Sequence, residues 1–287
     1  MKICTRCGEA NERVGWGCDA CGFEPRYVGG VREVVADSSD GFEESFFDLL
    51  AAGEPGHWWF ESRNSIILWA MRRFGVEPQN YMEIGCGTGW VLQAVAKAHP
   101  KIRLVATEFF AEGFRHVEQR VPQAELVRMD ARTIPYRDEF DAIGMFDVIE
   151  HIADDETVLQ HIFNALEPGG LLLLTVPQHQ WLWTHYDTLA HHERRYSRKV
   201  LVERVERAGF TIVHTTSFVS LLLPLMVVQR FLVGLKRKED YQVDGELNVG
   251  KTINAILGSI MNFEQAIIRL GFSFPAGGSL LMVARKN

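Results

Sequence analysis

Tyr81-Met82-Glu83-Ile84-Gly85-Cys86-Gly87-Thr88-Gly89-Trp90 is an apolar run that passes directly into three glycines at alternate positions. The run has the composition of a buried strand. The glycines, which lack a Cβ and tolerate positive φ, let the chain turn tightly and lie against a ligand. A helix beginning near Trp90 presents free N–H groups at the strand's C-terminal end, where open α/β sheets bind their ligands. The spacing is G-x-G-x-G, with Val91-Leu92 in the next turn, and therefore departs from the G-x-G-x-x-G pattern of dinucleotide sites.

From Tyr81 onward, strand and helix patterns alternate as in a parallel sheet. Ile102 to Glu108 is expected as the second strand, and it ends on an acid about 20 residues past the glycine loop, where a carboxylate accepts ribose hydroxyls. Ala124 to Met129 is the third strand, followed by Asp130-Ala131-Arg132. Phe140 to Phe146 is the fourth and leaves through Asp147-Val148-Ile149-Glu150-His151. Leu166-Glu167-Pro168-Gly169-Gly170 is expected to end the following helix, with Leu171 to Val176 as the fifth strand.

An apolar strand ending in E-x-G-x-G-x-G, the Phe-Asp fourth strand with Glu-His at its exit, and L-x-P-G-G before the fifth strand together resemble the class I S-adenosylmethionine-dependent methyltransferases. The resemblance implies an α/β fold with a seven-stranded doubly wound sheet, its last strand antiparallel, and helices on both faces. It also implies S-adenosylmethionine as cofactor, bracketed by Glu83, Gly85, Cys86, Gly87, Thr88 and Gly89, with Glu108 on the ribose, Asp130 and Ala131 at the adenine, and Phe146 and Asp147 flooring the pocket. His151, His192 and Tyr196 are the candidate proton acceptors or orienting groups. Asp147, Glu150 and His151 are also similar to an element by which some O-methyltransferases hold a divalent cation, with His191 or His192 as extra ligands.

Bulk composition limits the alternatives. The chain has 287 residues, 47% of them hydrophobic and 23% charged, with a formal charge of −7, which is ordinary globular composition. An acidic chain lacks the electrostatic footprint of a polyanion binder, so no nucleic acid is expected. Met1-Lys2-Ile3 leads into cysteines and charged residues, which reads as a cytoplasmic start.

Cys4, Cys7, Cys18 and Cys21 form two C-x-x-C-G pairs, the pattern of a closed four-thiolate structural zinc site, with iron left open. Asp37 to Gly41 is turn chemistry, and Phe42 to Leu50 and Ile66 to Phe74 are helical patterns on either side of the aromatic cluster His57-Trp58-Trp59-Phe60. Trp58, Trp59 and Arg63 serve either as a lid or as packing. The stretch His179 to Ser197, with His191-His192-Glu193-Arg194-Arg195-Tyr196, follows a strand C-terminus and marks the acceptor side. Leu221 to Val233 is apolar, is interrupted by Pro224 and Arg230, and is followed by basic Lys236-Arg237-Lys238. Segment 221–238 is therefore either a peripheral membrane contact or, the reading adopted, a protein-buried lid or dimer surface.

The organisation expected is a zinc-ribbon-like module over 1–27, a helical cap over 28–77, a methyltransferase core over 78–216, a helical insertion over 217–272 and a final strand over 273–287. The activity expected is O-methylation of a small or lipid-linked acceptor. An RNA or protein methyltransferase guided by the zinc module, or a non-catalytic scaffold, are the alternatives.

Overall fold

The computed structural model describes residues 1–11, 15–35, 44–75, 78–234 and 249–287. Asp37 to Gly41 and Lys236 to Lys238 lie outside them.

The central strand is β5 (Asn80–Ile84), flanked on one side by β6 (Arg103–Glu108) and β7 (Glu125–Arg128) and on the other by β8 (Phe140–Phe146) and β9 (Leu166–Pro177). These five run parallel. β11 (Ser279–Lys286) inserts antiparallel between β9 and β10 (Phe210–Phe218). Chain order reverses at β5, because β6 is laid on one side of it and β8 on the other. The crevice at the C-terminal ends of β5 and β8 is thus the switch point where such sheets take ligands.

Both faces of the sheet are covered, which explains the continuous apolar runs. Tyr81, Leu104 and Ala142 face one layer, formed by α2 (Trp58–Phe74), α3 (Trp90–Ala98), α4 (Phe114–Arg120) and α9 (Lys251–Arg269). Met82, Val105 and Ile143 face the other, formed by α5 (Asp155–Ala165) and α7 (Arg198–Arg207).

The sheet departs from expectation in size. Among the described residues it has nine strands rather than seven, because a hairpin of β3 (Arg26–Val28) and β4 (Val31–Glu33) pairs through β4 with β7. Gly29 and Gly30, at φ +56° and +86°, make the two-residue turn that matches strand twist. The division drawn between residues 27 and 28 falls inside β3. A second difference lies at Glu167 to Gly170: α5 ends just before them, with Leu166 as its cap, as expected, but the four residues already belong to β9. The register passes from Phe140 opposite Leu166 to Ala142 opposite Leu171, so the four residues form a bulge with Gly169 at φ +84°.

The cysteine segment, with β1 (Lys2–Ile3) paired to β2 (Ala10–Asn11), docks on the chain before β8. Trp16 meets Tyr136 edge-on at 5.6 Å and donates from Nε1 to Glu125 at 3.2 Å, and the Ile3 amide donates to Pro135 O at 2.9 Å.

The apolar stretch forms α8 (Leu223–Gly234), with Pro224 in its first turn, where a missing N–H costs nothing. Leu222 is buried, but Leu221, Leu225, Val227 and Val228 are exposed, as are Ile253, Ile256 and Phe263 of α9. Among the described side chains of this stretch Leu222 is buried and Leu223 and Met226 are half-buried, so burial within the protein is partial. No helix among the described residues is long and apolar enough to cross a membrane.

Candidate functional site

A cavity of about 1450 Å³ opens at the C-terminal ends of β5, β6 and β8. It exceeds the roughly 300–1,000 Å³ of ordinary ligand pockets and so has room for two ligands side by side.

Its first half is built largely from backbone. Gly85, Gly87 and Gly89 all take left-handed conformations, at φ +66°, +53° and +75°. A Cβ on Gly85 would lie 2.5 Å from Val148 Cγ2. The Glu108 carboxylate, at the end of β6, accepts the amides of Gly87 at 2.9 Å, Phe109 at 2.8 Å and Phe110 at 3.3 Å. Burial nevertheless raises its pKa. Asp130 accepts from Arg132 through both oxygens, at 2.6 to 3.0 Å. Although burial acts to raise its pKa, the bonds and charge of Arg132 bring it below the usual carboxylate value. Glu83 sits under the loop, 2% exposed, and burial pushes its pKa up to about 8 despite the nearby charge of Arg63. Arg63 lies 4.6 Å over the Trp59 ring and donates to Asp147 Oδ2 at 2.8 Å. Asp147, at φ +56°, also accepts from Thr175 Oγ1 at 3.1 Å.

The second half is built from side chains. Helix α6 (His185–Leu189) opens with a capping box in which Asp187 accepts from the amide and hydroxyl of Thr184 at 2.7 and 3.1 Å. Asp187 is fully buried and also receives Arg195 Nε at 2.7 Å and His192 Nδ1 at 2.9 Å, with Arg230 of α8 at 3.7 Å. Burial alone would raise its pKa, but these partners hold it well below the usual carboxylate range. An ionised carboxylate only accepts, so Nδ1 of His192 is the donor in this pair. Its ring centroid is 4.6 Å from that of His151, whose pKa burial and the neighbouring His192 lower to about 4. Beside them Glu150 is fully buried with neither oxygen hydrogen-bonded, and its pKa is pushed well up by burial and by Asp147.

Comparison with known proteins gives the family. A family model described as a methyltransferase domain matches residues 57–215. The chain belongs to the class I S-adenosylmethionine-dependent methyltransferases. Among relatives of this methyltransferase, a probable S-adenosylmethionine-dependent methyltransferase of Mycolicibacterium smegmatis is 25% identical over 162 residues, which cover 55% of this chain and 62% of that protein. A trans-aconitate 2-methyltransferase of an Azoarcus species is 28% identical over 110 residues, 38% of this chain and 41% of that one. The fold is shared with Haemonchus contortus phosphoethanolamine N-methyltransferase 2 in complex with S-adenosyl-L-methionine. The TM-score is 0.55 at 19% identity, covering 85% of this chain and 57% of the other. The matched stretches thus span less than two thirds of these relatives' own length.

The cavity brings together Glu83, Gly85, Cys86, Gly87, Thr88, Glu108, Asp130, Ala131, Phe146, Asp147, His151 and His192. Gly89 stands behind it as the cap of α3, its Cβ position facing Val117. Tyr196 is placed elsewhere. It is 1% exposed, is not part of the lining, and donates its hydroxyl to Asp155 at 2.5 Å. Among the described residues two sets of side chains have metal-ligand proximity. One is Cys4, Cys7, Cys18 and Cys21; the other is Glu150, His151 and His192. Asp147, expected as a cation ligand, is not in the second set; its Oδ2 accepts from Arg63 and Thr175.

Asp187 was not singled out from the sequence, although Thr184-x-x-Asp187 is a legible capping pattern. Glu54 and Arg120, which meet at Thr88, carry no such signal.

Proposed function

We propose that this protein transfers a methyl group from S-adenosylmethionine to an oxygen of a small or lipid-linked acceptor, with His192 taking the acceptor's proton. The cofactor supplies an electrophilic methyl on a sulfonium sulfur; the chain's own work is positioning and proton handling. The glycine loop and Arg63 hold the methionine portion, and Glu108 accepts from the ribose through the lone pair its three amide donors leave. Asp130 and Ala131 border the base. The observation that carries the reading is the His192–Asp187 pair beyond the loop. A buried anion fixes the imidazole tautomer and stabilises the imidazolium once Nε2 has taken a proton. A relative named for trans-aconitate agrees with a small acceptor. Calorimetric titration with S-adenosylmethionine, on wild type and on Glu108→Ala, tests the cofactor half, and no binding by wild type would refute it. Isotope transfer from labelled cofactor to phenol, carboxylate and lipid-linked hydroxyl acceptors tests the other half.

A second reading of the acceptor side rests on Glu150. An unpartnered buried carboxylate beside two imidazoles has the donor chemistry of a divalent cation site, with Asp187 orienting His192 from behind. Transfer activity unchanged after chelation would exclude it.

The four cysteines fit zinc. Cys4 and Cys21 sulfurs lie 3.7 Å apart and Cys7 and Cys18 sulfurs 3.6 Å apart. Tetrahedral ligands at about 2.3 Å from zinc stand about 3.8 Å from one another. The role is structural, since the module packs on Tyr136 and Glu125 at the sheet end opposite the cavity. A metal assay finding less than one ion per chain would refute it. The exposed apolar side chains of α8 and α9 include Leu225 and Ile253, which also line the cavity, so a lipid-borne acceptor would enter between these helices. Co-sedimentation with phospholipid vesicles, lost in Leu225→Ser with Ile253→Ser, checks this.

A further inference from the structure

The helix α1 (Glu44–Gly53) forms one wall of the cavity through Phe46, Phe47 and Leu50. Its attachment to the glycine loop is a closed ring of three polar side chains from distant parts of the sequence. Glu54 follows the last turn of α1, its amide donating to Leu50 O at 2.9 Å, and is 4% exposed. The Thr88 hydroxyl lies 2.6 and 2.8 Å from the two Glu54 oxygens. Arg120, the last residue of α4, donates from Nη1 to Glu54 Oε2 at 2.6 Å and to Thr88 Oγ1 at 2.7 Å. It also reaches Thr88 O at 3.1 Å and Ala51 O at 3.1 Å, with its guanidinium 5.1 Å over the Trp90 ring. Thr88 thus gives its proton to Glu54 and accepts one from Arg120.

Thr88 stands between the two left-handed glycines Gly87 and Gly89. Glu108 holds the loop from the β6 side through the Gly87 amide. Glu54 and Arg120 hold it from the other side, and through Ala51 they hold α1 to the same point. A buried carboxylate and a half-buried guanidinium each lose their compensation if the other is removed, so the ring parts as a unit. A second tie between α1 and α4 joins Asp48 to Arg115 at 2.5 Å and to His116 at 3.0 Å, but Asp48 is 56% exposed and solvent screens it. The fold therefore contains its own control.

We propose that Glu54 and Arg120 are positioning residues for the cofactor, latching α1 onto the glycine loop through Thr88 so that cofactor residence depends on the ring staying closed. The proposal rests on the reading of this cavity as an S-adenosylmethionine site. The test uses the full-length protein and stopped-flow release of S-adenosylmethionine, with the KM for cofactor, kcat and Tm measured alongside. Glu54→Gln and Arg120→Lys should each speed release by about tenfold or more and raise the KM for cofactor by more than they change kcat. Asp48→Asn should leave release within about twofold of wild type. Limited proteolysis should cut within residues 44–54 faster in the two ring variants, with bound cofactor protecting wild type better than either. If wild type binds the cofactor but both ring variants release it at the wild-type rate, even with a lowered Tm, the latch is overturned and the cofactor site stands. If wild type does not bind S-adenosylmethionine, both fall.

Discussion

The two halves of the cavity are built by different means. On the cofactor side the wall is a strand end and a loop, fixed by left-handed glycines and by carboxylates bonded to backbone amides. On the acceptor side it is a set of side chains, with His192 and Arg195 bonded to one buried anion, Asp187, and His151 and Glu150 beside His192. Backbone geometry is a local property of a short sequence and can be read as a motif. The acceptor side depends on a loop folding back on itself and on Arg230 of α8 arriving from elsewhere, so no short motif encodes it.

The contrast is tested most severely by His192→Ala. Loss of the proton acceptor should lower kcat by about 10²- to 10⁴-fold while the S-adenosylmethionine Kd from calorimetry stays within about twofold. Comparable losses in both would mean that the halves do not act separately. Gly85→Ala is the reverse experiment. A side chain at φ +66° whose Cβ meets Val148 costs about 2–3 kcal/mol, so the Kd for cofactor should weaken by about 30- to 150-fold. Asp187→Asn should lower kcat by about ten- to a hundredfold, with cofactor affinity retained, because the amide no longer enforces the Nδ1–H tautomer of His192.

The smallest effect lies beneath the loop. Glu83 has a folded-state pKa raised from 4.5 to about 8 by burial, so between these values the native state holds a proton that the unfolded chain has released. Its contribution to stability is complete below about pH 4.5 and is lost as pH rises through about 8. Glu83→Gln stays neutral throughout and should show a flatter fall in Tm across this window, read by calorimetry on the cofactor-free protein. An unchanged slope would place the titration elsewhere.

The sequence by itself determined the order of strands and helices, the glycine loop, the acids Glu108 and Asp130 at strand ends, and the paired cysteines. Each is encoded by neighbours a few residues apart, through apolar periodicity, the conformational range of glycine and thiolate spacing. Only the tertiary structure decided that β4 pairs with β7 to widen the sheet, because a three-residue strand does not name its partner. It also decided that Tyr196 turns to Asp155 while His192 turns to Asp187, although the two residues lie in one short polar stretch. Glu54, Thr88 and Arg120 form the extreme case. No local pattern marks the first or the last, and their roles exist only because the sheet brings three distant segments into one buried ring, where a charge must find its partner.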